Sequence, residues 1–191
     1  MTEHLPSARS LLGLSLVFAL AACGGYTTVD LGGSVNGLTT DGLVLANGND
    51  STTVPANATS YKFANQVDDQ ASYDVTVKTQ PARLTCTVAN GSGHTSGIAI
   101  TNVNVSCTPN SYSLGGTVTG LTTTGLVLTN GSDTLSVPAY SSTFTFPTKV
   151  NDGSVYGVAV LSQPAGQTCS IGNGTAVMGA GAVTSVQVSC I

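Results

Sequence analysis

The chain has 191 residues, of which only 7% are charged, and its formal net charge is −4. Five lysines and arginines in total cannot neutralise a run of phosphates, so we expect neither nucleic-acid binding nor polybasic attachment to anionic lipids. Because charges are scarce, the solvent-facing surface is expected to consist mainly of Thr, Ser, Asn and Gly.

The first 22 residues have the pattern of an export signal. Residues 11–19 are almost wholly apolar, but this run is too short to span a bilayer as a helix, which takes about 20 residues. A short apolar run that ends in small residues is typical of a secretory signal. We therefore predict a signal peptide over residues 1–22.

The sequence Leu20-Ala21-Ala22-Cys23 resembles the lipobox of bacterial lipoproteins. This resemblance implies cleavage before Cys23, a diacylglyceryl group on its sulfur and a further acyl chain, such as palmitate, on its new amino terminus. Two or three acyl chains hold a protein durably on a membrane, because each buried methylene contributes about 0.8 kcal/mol. Gly24 stands where an Asp usually retains such a protein in the inner membrane, so the resemblance favours the outer membrane. An ordinary cysteine after an ordinary signal peptide is the alternative.

The rest of the chain is an internal duplication with an offset of 83 residues. The matched positions, with no gap between them, include Leu31-Gly32-Gly33 with Leu114-Gly115-Gly116, Val54-Pro55-Ala56 with Val137-Pro138-Ala139, Cys86 with Cys169, and Cys107 with Cys190. A repeat of this length indicates two copies of one folding unit rather than a short-period solenoid.

The duplication predicts the domain organisation. The predicted segments are a signal peptide at 1–22, a lipidated tether at 23–30, unit 1 at 31–107, a linker at 108–113 and unit 2 at 114–191. The tether reaches at most about 25 Å, which keeps unit 1 near the membrane. The linker is short and contains Pro109, so we expect a restricted, end-to-end arrangement of the units.

Each unit has the pattern of an all-β domain. Short runs rich in Val, Thr and aromatic residues alternate with Gly, Asn, Asp and Pro, as strands alternate with turns. In unit 1 the predicted strands are 34–38, 43–46, 61–63, 73–79, 84–88 and 98–107. Asn-Gly pairs at 47–48 and 90–91, repeated at 130–131 and 173–174, predict tight hairpin turns. Two packed sheets are therefore expected in each unit, which makes the protein a tandem β-sandwich.

The cysteines after residue 23 are expected to form one disulfide in each unit. Cys86 has the same strand parity as Leu84 and Val88, and Cys107 the same as Val103 and Val105, so both point to the apolar side. Four cysteines allow three pairings, and the duplication selects Cys86–Cys107 and Cys169–Cys190. A bond that closes about 20 residues contributes roughly 3 kcal/mol and implies an oxidising compartment.

The order of motifs looks like the transthyretin-like sandwiches of bacterial surface proteins, a branch of the immunoglobulin-like class. The motifs are a Gly-Gly-Thr-Val strand at 115–118, Gly-Leu-Val-Leu at 125–128, Ser-Thr-Phe-Thr-Phe at 142–146, Tyr-Gly-Val-Ala-Val at 156–160 and a Gln-Pro turn at 163–164. Many members of that group carry a Lys–Asn isopeptide bond, but the first strands at 34–38 and 117–121 contain no Lys. The disulfide is therefore expected as the covalent link, and an immunoglobulin-like or fibronectin-like strand order stays open.

Residues that could carry chemistry are few. His94 aligns with Val177 and has no acid near it in sequence, so we interpret it as a solvated turn residue. Asn47, Asn49 and Asp50 could offer oxygen ligands to calcium, but such residues in hairpin turns usually serve backbone geometry. We expect no enzymatic activity, no metal site and no cofactor.

Aromatic residues are the remaining candidates for recognition. Tyr61 and Phe63, and the equivalent Phe144 and Phe146, are interpreted as core. Tyr140 replaces Asn57 of unit 1 in a loop beside two serines, so we expect it to be exposed and to be a possible ligand contact.

Two functional hypotheses follow from these patterns. The first is a non-enzymatic, membrane-anchored lipoprotein of the bacterial envelope that acts as a structural spacer and contacts envelope proteins. The alternative is a carbohydrate- or adhesion-type module that binds glycans through its distal loops, Tyr140 included.

Overall fold

The structure is a computed structural model that describes Met1 and residues 27–191. In residues 27–191 every regular element is a β-strand, as the sequence predicted. Unit 1 contains β1 Thr28–Val29, β2 Gly32–Asn36, β3 Leu43–Asn47, β4 Asp50–Val54, β5 Ser60–Lys62, β6 Val67–Asp68, β7 Ser72–Thr79, β8 Leu84–Ala89, β9 Ser92–His94 and β10 Asn104–Pro109. Unit 2 contains β11 Ser111–Tyr112, β12 Leu114–Thr119, β13 Leu126–Asn130, β14 Asp133–Val137, β15 Thr143–Thr145, β16 Val150–Asn151, β17 Val155–Ser162, β18 Cys169–Gly172, β19 Thr175–Val177 and β20 Val183–Cys190. Across the part of the chain that is described, no helix reaches the length and apolarity needed to cross a bilayer.

Each unit is a sandwich of two four-stranded sheets. The strand orders are β5-β2-β10-β8 and β4-β3-β7-β9 in unit 1, and β15-β12-β20-β18 and β14-β13-β17-β19 in unit 2. The first long strand pairs in parallel with the last one, β2 with β10 and β12 with β20, whereas the other neighbours in these sheets are antiparallel. The first two long strands of a unit therefore lie in opposite sheets, a point that the sequence had left open.

Each unit buries its own apolar core between its two sheets. In β7 the alternation predicted from the sequence is present, because Tyr73 and Val75 are buried whereas Asp74 between them is exposed. Val105 and Cys107 of β10 are buried in the same way. The period-two pattern read from the sequence therefore gives the side of the sheet on which these residues lie.

Both predicted disulfides are confirmed. Cys86 and Cys107 lie directly opposite each other on β8 and β10, with their Cα atoms 3.9 Å apart. Cys169 and Cys190 repeat the arrangement on β18 and β20 at 4.0 Å. All four cysteines are buried, and each bond joins neighbouring strands of one sheet.

A glutamine side chain completes the edge of the sheet beside each disulfide. The amide oxygen of Gln80 accepts the N–H of Cys86 at 2.7 Å, and its nitrogen donates to the Cys86 carbonyl at 2.9 Å. Gln163 makes the same pair of bonds to Cys169, at 2.7 and 3.0 Å. Because β8 and β18 are edge strands, these peptide groups have no further strand to pair with, and the glutamine takes that place. The sequence had indicated only a Gln-Pro turn.

The Asn-Gly turns differ from the prediction in two ways. The loop of the β3–β4 hairpin is Gly48-Asn49, because Asn47 pairs with Asp50 inside the ladder. Gly48 has a φ of 59°, as a two-residue loop with glycine first requires. Asn90 also has a positive φ, but it joins β8 to β9, which lie in opposite sheets. The prediction of a hairpin at residues 90–91, and at 173–174 in unit 2, is therefore wrong.

The strand predicted over residues 98–107 is shorter in unit 1. Ile100 forms one isolated parallel bridge with Leu31, and the regular ladder begins only at Asn104. In unit 2 the equivalent strand, β20, is continuous from Val183 to Cys190, with a shift of register between Val183 and Val186 in its pairing with β12. A Cβ on the second glycine of the Leu-Gly-Gly motif, Gly33, would collide with the Val103 carbonyl oxygen, so the close approach of the two strands requires glycine there.

The ends of the units are more ordered than the predicted tether and linker suggested. β10 extends to Pro109 and β11 begins at Ser111, so Asn110 alone separates strands of the two units within residues 108–113. At the other end, β1 lies in the segment predicted as tether and pairs with β6 of unit 1. The chain therefore passes from unit 1 into unit 2 through one residue outside a strand.

Candidate functional site

The most distinctive polar arrangement in the structure is the junction between the two units. Arg83, in the β7–β8 connection of unit 1, donates from Nη2 to Oδ1 of Asp152 in unit 2 at 2.7 Å. The Asp152 side chain is 1% exposed, whereas that of Arg83 is 52% exposed. Asn110 lies between them, donating its N–H to the Arg83 carbonyl at 2.9 Å and accepting the N–H of Asp152 at 2.8 Å. These three residues connect the units through an ion pair and two backbone hydrogen bonds.

Arg83 holds a backbone conformation that normally favours glycine. Its φ is 68°, and the equivalent residue of unit 2 is Gly166, with a φ of 71°. A left-handed backbone costs about 1–2 kcal/mol for a residue with a Cβ, so the fold alone gives no reason for arginine here. The hydrogen bond to Asp152, followed by the charge of that carboxylate, raises the pKa of Arg83. Oδ2 of Asp152 is buried without a partner among the described residues, so the arginine compensates a carboxylate that would be costly to bury alone.

The backbone hydrogen bond between Asp152 and Asn110 has an equivalent at the start of unit 1, but without an arginine. Asp69, the equivalent of Asp152, donates its N–H to the Thr27 carbonyl at 2.8 Å, as Asp152 does to Asn110. Both units therefore receive the preceding chain by the same hydrogen bond. The arginine contact belongs specifically to the joint between the units, and Gly166 stands at the far end of unit 2 where an equivalent arginine would lie.

The outer side of unit 1 also contains a groove of about 390 Å³, formed by β2, β5 and residues 99–101. Lys62 lies 3.2 Å from Asp30 Oδ2, and Gln66 donates to Asp30 Oδ1 at 2.8 Å. The hydrogen bond from Gln66, followed by that from Lys62, holds the pKa of Asp30 below its usual value. The groove thus presents a charge-neutral cluster of donors and acceptors beside the apolar side chain of Ile100.

Tyr61 forms part of the wall of this groove. Its hydroxyl donates to the Val103 carbonyl at 3.1 Å, and burial raises its pKa to about 12. The ring packs edge-to-face on Phe63, with centroids 6.0 Å apart. Phe63 is buried as predicted, but Tyr61 is only half-buried, so the interpretation of Tyr61 as plain core is corrected. The useful signal was in the duplication, since Phe144 at the matching position shows that the fold does not need the hydroxyl.

Tyr140 lies away from this groove, in the loop between β14 and β15. Strand directions place this loop at the end of unit 2 opposite the junction. The side chain is 79% exposed, and its φ of 63° matches that of Asn57 in unit 1. Its N–H donates to the Leu121 carbonyl at 2.9 Å, which fixes the backbone. The structure therefore does not bring Tyr140 together with Tyr61.

The remaining predicted residues are placed as follows. His94 lies on the exposed edge strand β9 opposite Ser72, so its interpretation as a turn residue is wrong, although it is solvated. Asn47 accepts the N–H of Asp74 through its side-chain oxygen at 2.9 Å, which gives it a role in the backbone. Within the described residues, no group of three His, Cys, Asp or Glu side chains is arranged to hold a metal ion. Cys23 lies outside the described residues.

Comparison with solved structures gave matches to the shaft pilin SpaA from Lactobacillus rhamnosus GG. A single mutant and a double mutant of that pilin each match over 86% of this chain and 97% of the pilin chain, at 10% sequence identity. The TM-scores are 0.29 and 0.28, which are too low to carry an argument about this chain. No protein-family model and no curated protein matches the sequence. The strand orders and the two disulfides by themselves define the tandem sandwich.

Proposed function

We propose that the chain is a non-enzymatic lipoprotein of the bacterial envelope in which two sandwiches form a stiff spacer. The anchor is Cys23, and its support is the resemblance of Leu20-Ala21-Ala22-Cys23 to a lipobox. The observation that carries the spacer function is the junction of Arg83, Asn110 and Asp152. In this proposal unit 1 lies near the outer membrane, and the far end of unit 2 is held away from it.

The junction supports stiffness for three physical reasons. A single residue, Asn110, separates β10 from β11, so little chain is free to change its backbone angles. The N–H of Asn110 donates to the Arg83 carbonyl, and its carbonyl accepts the N–H of Asp152. Thr85 Oγ1 also donates to Asn110 Oδ1 at 2.7 Å. Separation of the units would leave the buried carboxylate of Asp152 without its counter-ion, which opposes opening of the joint.

The spacer function is tested by measuring the distance between the units. Spin labels at Asn49→Cys and Ser132→Cys, in the exposed loops of equivalent hairpins, report this distance by double electron–electron resonance on the full chain. We expect a narrow distribution that Arg83→Gly broadens. Glycine already occupies the matching position in unit 2 with the same backbone geometry, so this change should not disturb folding.

Asp152→Asn should broaden the distribution in the same way, because it removes the charge that holds Arg83. Asp69→Asn is the matched control, since Asp69 makes the same backbone bond but receives no arginine from a preceding unit. A distribution that stays narrow in both junction variants would contradict the spacer proposal.

The anchor is tested by fractionation of intact cells. Cys23→Ser should move the protein from the membrane fraction to the soluble fraction, because the residue that carries the acyl chains is removed. Arg83→Gly, which leaves the lipobox sequence intact, should remain with the membrane. Membrane association of Cys23→Ser would rule out the lipid anchor.

A second candidate function is supported by the conformation of Tyr140. A bulky aromatic residue at positive φ is unusual, and Asn57 shows that a smaller residue suffices at this turn. The cost of holding an exposed ring there suggests recognition of a ligand, and aromatic rings stack on the apolar faces of sugars. A glycan array should then show binding that Tyr140→Asn abolishes and Tyr61→Phe preserves. Absence of binding by the unaltered protein would leave the spacer function alone.

A further inference from the structure

The outer face of one sheet of unit 2 is apolar although it is exposed. The outward residues of β17 and β19 are called the apolar face here, and they are Val155, Gly157, Ala159, Leu161, Thr175 and Val177. Val155, Leu161 and Val177 are 71%, 60% and 60% exposed. Val155 and Val177 lie directly opposite each other on neighbouring strands, so their side chains form one patch.

Unit 1 shows that the fold does not require this patch. The residues at the six matching positions are Ser72, Asp74, Thr76, Lys78, Ser92 and His94. They lie on strands of the same length and register, with Ser72 opposite His94 where unit 2 has the two valines. The same backbone therefore carries a polar, charged face in unit 1, and the apolar face of unit 2 is a separate property of the sequence.

We propose that the apolar face packs against the apolar face of a second copy of this chain. None of its six residues is charged, so contact between two such faces buries no charge. The corresponding face of unit 1 carries Asp74 and Lys78, and such a contact would remove these charged side chains from water. The distribution of charged residues therefore favours contact between the unit 2 faces of two copies and opposes contact between their unit 1 faces.

The distribution of charge along the chain points to the same surface. Residues 27–113 contain six aspartates and three cations, whereas residues 114–191 contain two aspartates and one lysine. Two copies of a chain with net charge −4 repel each other, and this repulsion is weaker between the second units than between the first. Approach through unit 2 is thus the electrostatically least costly contact between copies.

The size of the face sets the expected strength of the contact. The face lies on β17 and β19, of eight and three residues, which at about 3.4 Å per residue and 4.8 Å per strand offer roughly 180 Å² per copy. Two copies would bury about 360 Å² in projection, well below the range of stable dimers. The contact is therefore weak in dilute solution, and it forms where copies are concentrated on one surface.

The test uses the full chain in cells that express two differently tagged copies. A photo-crosslinking phenylalanine analogue is placed at Val177 and, as the matched control, at His94 of unit 1. We expect a product of twice the chain mass that contains both tags from position 177 and not from position 94. Equal yields from the two positions, a product that contains a different protein, or no product from position 177 would overturn the proposal.

The matching residues of unit 1 provide variants that the fold tolerates. With the crosslinker at Ala159, Val155→Ser combined with Val177→His should lower the yield of the double-tagged product about tenfold, as loss of a central contact does. Leu161→Lys is a second, independent variant with the same expected direction. An unchanged yield in these variants would refute the apolar contact. Arg83→Gly should leave the yield unchanged, so this proposal and the spacer proposal fail separately.

Discussion

The two units have the same strand orders and an equivalent disulfide, yet the buried residues at matching positions stabilise them in different ways. Thr95 of unit 1 is buried, and its hydroxyl donates to the Asp68 carbonyl at 2.7 Å. The matching residue of unit 2 is Met178, which is fully buried in an apolar core. One backbone thus accepts either a buried hydrogen bond or a larger apolar volume. This tolerance means that differences between the units are informative about something other than the fold.

The surface differences between the units follow this principle. Unit 1 has a polar sheet face and a groove with Asp30 and Lys62, whereas unit 2 has the apolar face and an exposed Tyr140. Since each unit serves as a control for the other, substitutions that exchange their residues separate the needs of the fold from those of function.

The largest expected effect comes from removing one disulfide at a time. Cys86→Ser with Cys107→Ser should destabilise unit 1 by about 3 kcal/mol, and the equivalent pair of changes should do so in unit 2. Because the two cores are separate, each double variant should unfold first in the unit that has lost its disulfide. Thermal unfolding followed by limited proteolysis with mass spectrometry measures which unit is cut, and Thr87→Ser on the exposed side of β8 is the control. Simultaneous loss of protection in both units would show that they unfold as one.

A smaller effect is expected from the buried pair Thr95 and Met178. Met178→Ala should cost about 2 kcal/mol because it leaves a cavity in unit 2. Thr95→Val should cost about 1 kcal/mol, since it keeps the volume but removes the hydroxyl that donates to the Asp68 carbonyl, which still accepts the N–H of Ala71 at 3.2 Å. Denaturant midpoints at constant m-value measure both changes. The reverse order would mean that the hydrogen bond, and not the packed volume, dominates at this position.

The smallest effect concerns alkaline pH and distinguishes Tyr61 from Phe144. The folded-state pKa of Tyr61 is raised from 10 to about 12. The contribution of its neutral hydroxyl to the free energy of unfolding is therefore fully present below pH 10 and is lost as the pH rises towards 12. The contribution is about 1 kcal/mol, because the half-exposed hydroxyl is partly screened by solvent. Tyr61→Phe should therefore reduce the loss of unit 1 stability over this range, as measured by urea unfolding at pH 9 and pH 11.5. Equal losses in the variant and the unaltered chain would disprove the assignment.

Much of the fold could be predicted because it depends on local patterns and on the repeat. The alternation of Tyr73 and Val75 with exposed neighbours gave the sides of β7. The offset of the repeat selected the cysteine pairs. The short strands β4 and β9 were missed, since Asp50–Val54 and Ser92–His94 carry few apolar residues and are defined by pairing with β3 and β7. Turn chemistry alone could not show that Asn90 connects opposite sheets.

The candidate site was less accessible to sequence reasoning. Tyr140 could be singled out because it departs from its partner in the repeat. Arg83 departs from Gly166 in the same way, but nothing local indicates that it would meet Asp152, which is 69 residues further along the chain. Sequence reasoning did not single out the apolar face, because only the sheet shows that Val155 and Val177 are neighbours.

The sequence by itself determined that this protein is two β units, each with one internal disulfide, because strand period, cysteine parity and repetition are all encoded in the order of residues. The tertiary structure decided the strand order within each sandwich, the bonds that Gln80 and Gln163 make to the edge strands, the junction at Arg83 and Asp152, and the continuity of the apolar face. Each of these depends on contacts between residues far apart in the chain. Such contacts are selected by the packing of two sheets on one core, and no short stretch of sequence specifies them.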